Sequence, residues 1–166
     1  MNRTTLLILS TLIVVAILLL GCGNPCPELG KSAPDFTLKS TEDKTVTLSG
    51  LKGKVVVINF WATWCGPCQF ETPFFQAAHL ERKDKGVVIL GIDVKENAAT
   101  VRNFVNSKNV TFTILLDDEA QVVQNYCLPS ALPITYFVNG EGILKARKVG
   151  AFQNQAELMK MLDSIK

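Results

Sequence analysis

Two cysteines two residues apart, in Cys65-Gly66-Pro67-Cys68, stand where an apolar run gives way to an amphipathic one. The run Val55-Val56-Val57-Ile58 has the continuous β-branched composition of a buried strand. The residues after Cys65 carry helical spacing, so the pattern predicts a strand-to-helix junction with Cys65 at the start of the helix. The first N–H groups of a helix lack intrahelical partners, and the helix dipole adds partial positive charge there. Both effects stabilise a thiolate and lower a thiol pKa from about 8.5 to about 7 or less. Cys68, one turn on, is close enough to close a small disulfide ring. The pair supplies an attacking thiolate, Cys65, and a second thiol, Cys68, that can resolve a mixed disulfide. Gly66 and Pro67 allow the tight turn between them. A static disulfide is the plainer alternative. A zinc half-site is another, but no second C-x-x-C completes it.

Glu71 follows Cys68 by three residues, so one helical turn brings its carboxyl toward the second thiol. Its alternative reading is a solvated helix glutamate. Trp61 and Trp64 read as packing and contact surface at the border of the site. His79, the single histidine, has no clustered partners and reads as a surface or partly buried helix residue.

The elements that must position these groups follow from periodicity. Residues 33–38 form a short extended segment, and Thr45-Val46-Thr47-Leu48 reads as its hairpin partner. Residues 55–60 form the buried strand, and the helix after Cys65 is expected to run to about Lys83, with Phe70, Phe74, Ala77 and Ala78 on one face. Pro73 lies inside it and is expected to kink it by removing a backbone donor. A second buried strand covers 87–93, a helix capped by Asn97 follows, and a third strand covers 112–116. A short helix is expected over 119–126, with Cys127 at its end. Residues 134–138 and 143–149 form a hairpin around Asn139-Gly140-Glu141-Gly142. Asn154 and Glu157 have capping-box spacing ahead of a closing helix with the stripe Leu158, Leu162 and Ile165. Strands alternating with helices, then a hairpin and a helix, make an α/β fold with a mixed central sheet. In such sheets ligands and reacting groups gather at the carboxyl ends of the parallel strands, where Cys65 falls.

The first residues carry a different message. One basic residue, Arg3, precedes an almost wholly apolar stretch from Leu6 to Leu20, and Leu19-Leu20-Gly21-Cys22 follows. This reads as an export signal, and its last four residues resemble a bacterial lipobox in which Cys22 becomes lipidated. An uncleaved anchor and ordinary cleaved secretion are the alternatives; the stretch from Thr4 to Leu20 is near the lower limit for spanning a bilayer. The organisation expected is a signal or anchor over 1–21, a tether over 22–31 and one domain over 32–166. Removing the first 21 residues leaves 16 basic against 15 acidic side chains, which gives no electrostatic case for binding nucleic acid. Of five cysteines, Cys26 and Cys127 could form a structural bridge in an exported protein, but unpaired buried or linker thiols are the favoured reading.

Trp64-Cys65-Gly66-Pro67-Cys68 resembles the thioredoxin signature. Ala33-Pro34-Asp35-Phe36, the lead Asn59-Phe60-Trp61-Ala62-Thr63-Trp64, Glu71 with Pro73, the helix–strand insertion near 97–116 and Leu132-Pro133-Ile134-Thr135-Tyr136-Phe137 narrow it. Together, over roughly residues 32–166, they resemble the membrane-tethered, extracytoplasmic thioredoxin-like proteins of the TlpA/ResA type. The resemblance implies a thioredoxin-like fold with an N-terminal β-hairpin and a central helix–strand insertion. It implies a thiol–disulfide oxidoreductase that needs no cofactor, reduces disulfides in exported proteins and draws electrons from a membrane thiol carrier, with apocytochrome c as one target. It implies that Pro133 is a cis proline packed against the active-site disulfide and that the Leu132 backbone pairs with substrate peptide, beside Trp64, Gly66 and Pro67. It also supports Glu71 as a proton shuttle for Cys68, because Asn59 replaces the titratable Asp of cytoplasmic thioredoxins.

Two other functions compete. A peroxiredoxin-type peroxidase shares the Ala33-Pro34-Asp35-Phe36 lead but wants Thr three residues before its cysteine, where this chain has Ala62. A thiol-based copper-delivery module could use the C-x-x-x-C-P pattern from Cys22 to Pro27.

Overall fold

A computed structural model describes residues 26–165. Its elements are β1 (Thr37–Ser40), β2 (Thr45–Thr47), β3 (Val55–Trp61), α1 (Gly66–Arg82), β4 (Val87–Val94), α2 (Ala98–Ser107), β5 (Thr113–Asp117), α3 (Gln121–Asn125), β6 (Ile134–Val138), β7 (Leu144–Val149) and α4 (Gln155–Asp163). The strands form one seven-stranded mixed sheet in the order β2-β1-β5-β4-β3-β6-β7. β3, β4 and β5 are mutually parallel, and the remaining neighbours pair antiparallel. The expected N-terminal hairpin is β1–β2, and α2 with β5 is the helix–strand insertion. This is the thioredoxin-like α/β fold.

The pleat of β3 sorts its side chains between two apolar layers. Val56, Ile58 and Phe60 face Phe36, Leu90, Ile92, Tyr126 and Tyr136. Val57 and Trp61 face the other way, toward Phe75 and Ala78 of α1, Val101 of α2, and Leu158 and Leu162 of α4. Asn59 falls between Val57 and Trp61 in that alternation, so a polar residue points from the central strand into the α1 layer.

The buried side of α1 departs from expectation. Cys68, Glu71, Phe75 and Ala78 are buried, whereas Phe70 is exposed and Phe74 is half-buried, the two rings meeting edge-on at 5.4 Å. The N-terminal disulfide sets the phase: Cys68 turns inward, and positions three, seven and ten residues later follow it at helical spacing. α1 continues through Pro73 to Arg82. α3 begins later than expected because Ala120, in the left-handed region at φ 56°, precedes it. Its free N–H groups are met by the Asp117 carboxylate, which accepts from Val122 N at 3.2 Å and Val123 N at 2.9 Å.

Cys26 and Cys127, read above as unpaired, are joined in a disulfide with Cα atoms 5.4 Å apart. The chain ahead of β1 is already fixed to the domain, with Gly30 N donating to Leu144 O at 2.7 Å and Leu144 N to Lys31 O at 2.9 Å. That docking brings the preceding cysteine back to the end of α3. The stretch read as a tether is therefore fastened from Cys26 onward, and Cys26 is not a free ligand for copper. Cys22, the signal over 1–21 and residues 22–25 lie outside the described residues. No described helix is long and apolar enough to cross a membrane.

Candidate active site

β3 delivers the chain to the sheet's carboxyl edge, and Ala62–Trp64 turn it into α1. Cys65 is the N-cap residue of α1, with extended backbone, and its Sγ accepts from Cys68 N at 3.3 Å. A thiolate at Sγ would meet that same N–H and the positive end of a 17-residue helix. Cys65 and Cys68 are joined as a disulfide, with Cα atoms 5.2 Å apart. Cys65 is 5% exposed and Cys68 1%. Trp64, by contrast, is 69% exposed, a large apolar face beside the disulfide. Trp61 does not border the surface: it is buried in the core, its ring 5.2 Å from that of Phe104.

The peptide between Leu132 and Pro133 is cis. Pro133 is buried, and its carbonyl accepts from Gly150 N at 2.9 Å. Leu132 is half-buried and packs against the cluster that contains Cys65 and Cys68.

Glu71 is wholly buried. Asn59 Nδ2 donates to its Oε1 at 2.9 Å, and the main-chain N–H of Phe152 donates to its Oε2 at 2.9 Å. Asn59 Nδ2 also donates to Thr135 Oγ1 at 3.0 Å, across the β3–β6 pair. Burial favours the neutral acid, while the two donors and nearby Lys148 favour the carboxylate. Burial is the largest influence, and the pKa is pushed up to about 7. A group poised there can take or give a proton near neutrality. His79, half-buried on α1, has its pKa lowered by burial and then by Lys83.

Two acidic groups beside the site have no counterpart among the residues singled out from the sequence. Glu96, after β4, accepts from Thr63 N at 2.5 Å through Oε2 and from Thr63 Oγ1 at 2.6 Å through Oε1. Asp93, at the end of β4, is buried beside it. The signal that could have found them is an acidic residue ending an otherwise apolar buried strand, with a second acid three positions later.

A mixed sheet of thioredoxin type with a C-x-x-C disulfide at the N-terminus of its first long helix defines a dithiol–disulfide exchange protein. The comparisons agree. The model of the AhpC/TSA family matches residues 29–147. The chain is 42% identical over 113 residues to the thiol-disulfide oxidoreductase ResA of Bacillus subtilis, covering 68% of this chain and 63% of that protein. It is 36% identical over 155 residues to ResA of Oceanobacillus iheyensis, covering 90% of this chain and 80% of that one. A solved structure described as a DsbE thiol:disulfide interchange protein, from Chlorobium tepidum, superimposes with a TM-score of 0.76 at 26% identity, over 82% of this chain and 96% of that one. The chain belongs to the AhpC/TSA family and, within it, to the ResA thiol-disulfide oxidoreductases.

Proposed function

We propose that this thiol-disulfide oxidoreductase works outside the cytoplasm as a reductant of disulfides in exported proteins, apocytochrome c among them. In this reading residues 1–21 export the chain, Cys22 carries a lipid and the domain over 32–166 reacts at the outer face of the membrane. Electrons arrive from a membrane thiol carrier. The apolar segment ahead of Cys22 supports the location, and Gly66-Pro67 between the cysteines favours the reducing direction.

The cycle starts from the dithiol. The Cys65 thiolate attacks one sulfur of a substrate disulfide, forming a mixed disulfide and releasing the other substrate sulfur as a thiolate. Cys68 loses its proton and attacks Cys65 Sγ, which frees the second substrate thiolate and closes the Cys65–Cys68 disulfide. Two electrons pass to the substrate, and its two thiolates take up protons. Glu71 accepts the Cys68 proton and returns one when the carrier reduces the disulfide. Trp64, Gly66, Pro67 and the backbone of Leu132, held by Pro133, form the surface the substrate lies against.

The observation that carries this reading is the sulfur of Cys65 at the cap of α1, facing Cys68 N. The test is substitution of Cys68 by Ser. The variant should accumulate a covalent adduct with a disulfide-containing protein through Cys65, visible by non-reducing electrophoresis and lost when Cys65 is also replaced. Absence of any adduct under conditions where wild type reduces the same substrate would overturn the assignment.

A further inference from the structure

Asp93 takes no part in the cycle above, yet it is 0% exposed. On β4 it stands in register with Trp61 of β3 and Leu116 of β5, at the carboxyl edge of the parallel strands. Its Oδ1 accepts from the main-chain N–H of Glu96 at 3.2 Å. Its Oδ2 has no hydrogen-bond partner among the described residues, and the Glu96 carboxylate lies beside it. Glu96 in turn spends both oxygens on Thr63, one on the main-chain N–H and one on the hydroxyl. The Thr63 carbonyl accepts from Gln69 Nε2 at 2.6 Å. The residue two positions before Cys65 is thus held at its N–H, its side chain and its C=O.

A buried acid beside a carboxylate cannot ionise without placing two like charges together. A proton on Asp93 Oδ2 removes that repulsion and turns the partnerless oxygen into a donor. The acceptor within reach is Glu96, whose position on Thr63 the bond would then lock. The charged groups bearing on Asp93 are Glu96 and, on β5, Asp117; both oppose its ionisation. Burial first, and Glu96 second, push its pKa up to about 8.

We propose that Asp93 is a positioning residue for thiol–disulfide exchange: by donating a hydrogen bond to Glu96 it keeps Glu96 on Thr63, and so fixes the Trp64–Cys65 approach to the active-site helix. Loss of the proton sets two carboxylates against each other and loosens the hold on Thr63. The turn between β4 and α2 that supplies Glu96 is then part of the active-site scaffold. The activity part of this proposal rests on Cys65 being the attacking sulfur; the structural part does not.

The test follows the Thr63 backbone amide by NMR in the oxidised full-length protein, where neither active-site thiol titrates. Wild type should show a Thr63 transition with a midpoint near pH 8. In Asp93→Asn the side-chain amide still donates to Glu96 but carries no titrating proton. The transition should vanish, with the Thr63 resonance held at its wild-type position below pH 7. Asp93→Ala should shift that resonance at every pH and slow reduction of a model disulfide several-fold at pH 7, with Asp93→Asn restoring the rate. A Thr63 transition that persists in Asp93→Asn, or is absent from wild type, overturns the proposal, as does an Ala variant with wild-type resonance and rate. If Asp93→Ala does not fold, the comparison of wild type with Asp93→Asn decides alone. Failure of the Cys65 assignment would show instead as a missing Cys68→Ser adduct, with the Thr63 titration unchanged.

Discussion

Replacing Glu71 by Gln isolates the energetic cost of keeping an acid inside the core. The wild-type carboxyl titrates near 7 in the folded protein against an ordinary value of 4.5. That difference is worth about 3 kcal/mol. Below about pH 4.5 the group is protonated in both folded and unfolded chains and contributes nothing. Between 4.5 and 7 the unfolded chain releases the proton while the folded chain keeps it, so stability falls as pH rises. Above 7 both states are ionised and the full cost remains. Gln is neutral throughout and lacks this pH dependence. It has a separate cost, because Asn59 Nδ2 and Phe152 N both donate into the site. A single amide oxygen cannot meet both as a carboxylate does, and its NH₂ group opposes one of them, a loss of about 1–3 kcal/mol that does not vary with pH. The variant should be the less stable protein at pH 5 and match or exceed wild type at pH 8. Urea unfolding of both oxidised proteins from pH 4 to 9 gives the difference directly, with thiol titration absent. A difference that stays constant, or moves in favour of wild type as pH rises, would refute the balance of burial and hydrogen bonding described here. In the reduced proteins, the pH profile of Cys68 reactivity should lose its inflection near 7 in the Gln variant; an unchanged profile would remove Glu71 from the proton path.

Two further changes test the scaffold. Replacing Cys26 and Cys127 together by Ser opens a link that spans 101 positions and should lower unfolding stability by about 2–4 kcal/mol. Adduct formation through Cys65 should persist; denaturant midpoints and the trapping assay read the two outcomes separately. A Gly91→Ala methyl would lie 2.6 Å from Ile114 Cδ1, 3.1 Å from Trp61 Nε1 and 3.2 Å from the Phe112 ring. Overpacking of that kind should cost about 1–3 kcal/mol, measured by thermal or urea unfolding, and a variant as stable as wild type would contradict the tight fit under Trp61.

The parts of this protein that local sequence encodes were legible in it. Asn97 and Asn154 cap their helices through Thr100 N and Glu157 N, both at 2.9 Å, because a cap depends only on residues within one turn. The β-branched run and the C-x-x-C after it placed the redox pair at a strand–helix junction for the same reason. What stayed hidden depends on residues that only the folded sheet brings together. Glu71 is tied to Phe152, 81 positions away, Glu96 to Thr63, 33 away, and Cys26 to Cys127. Helical spacing alone put Phe70 and Phe74 on the apolar face of α1, whereas the buried side runs through Cys68, Glu71, Phe75 and Ala78. The same division separates reaction from tuning. An N-cap cysteine with a partner one turn on is enough for exchange, and it can be read from a few residues. The proton affinity of Glu71 and the hold on Thr63 depend on the buried polar side chains Asn59 on β3 and Asp93 on β4, each a local violation of core patterning, together with Glu96 after β4 and the main-chain N–H of Phe152 after β7. A relative could therefore keep its active-site pentapeptide intact and still differ in pH response through Asn59, Asp93 or Glu96, positions that the cysteine motif does not constrain.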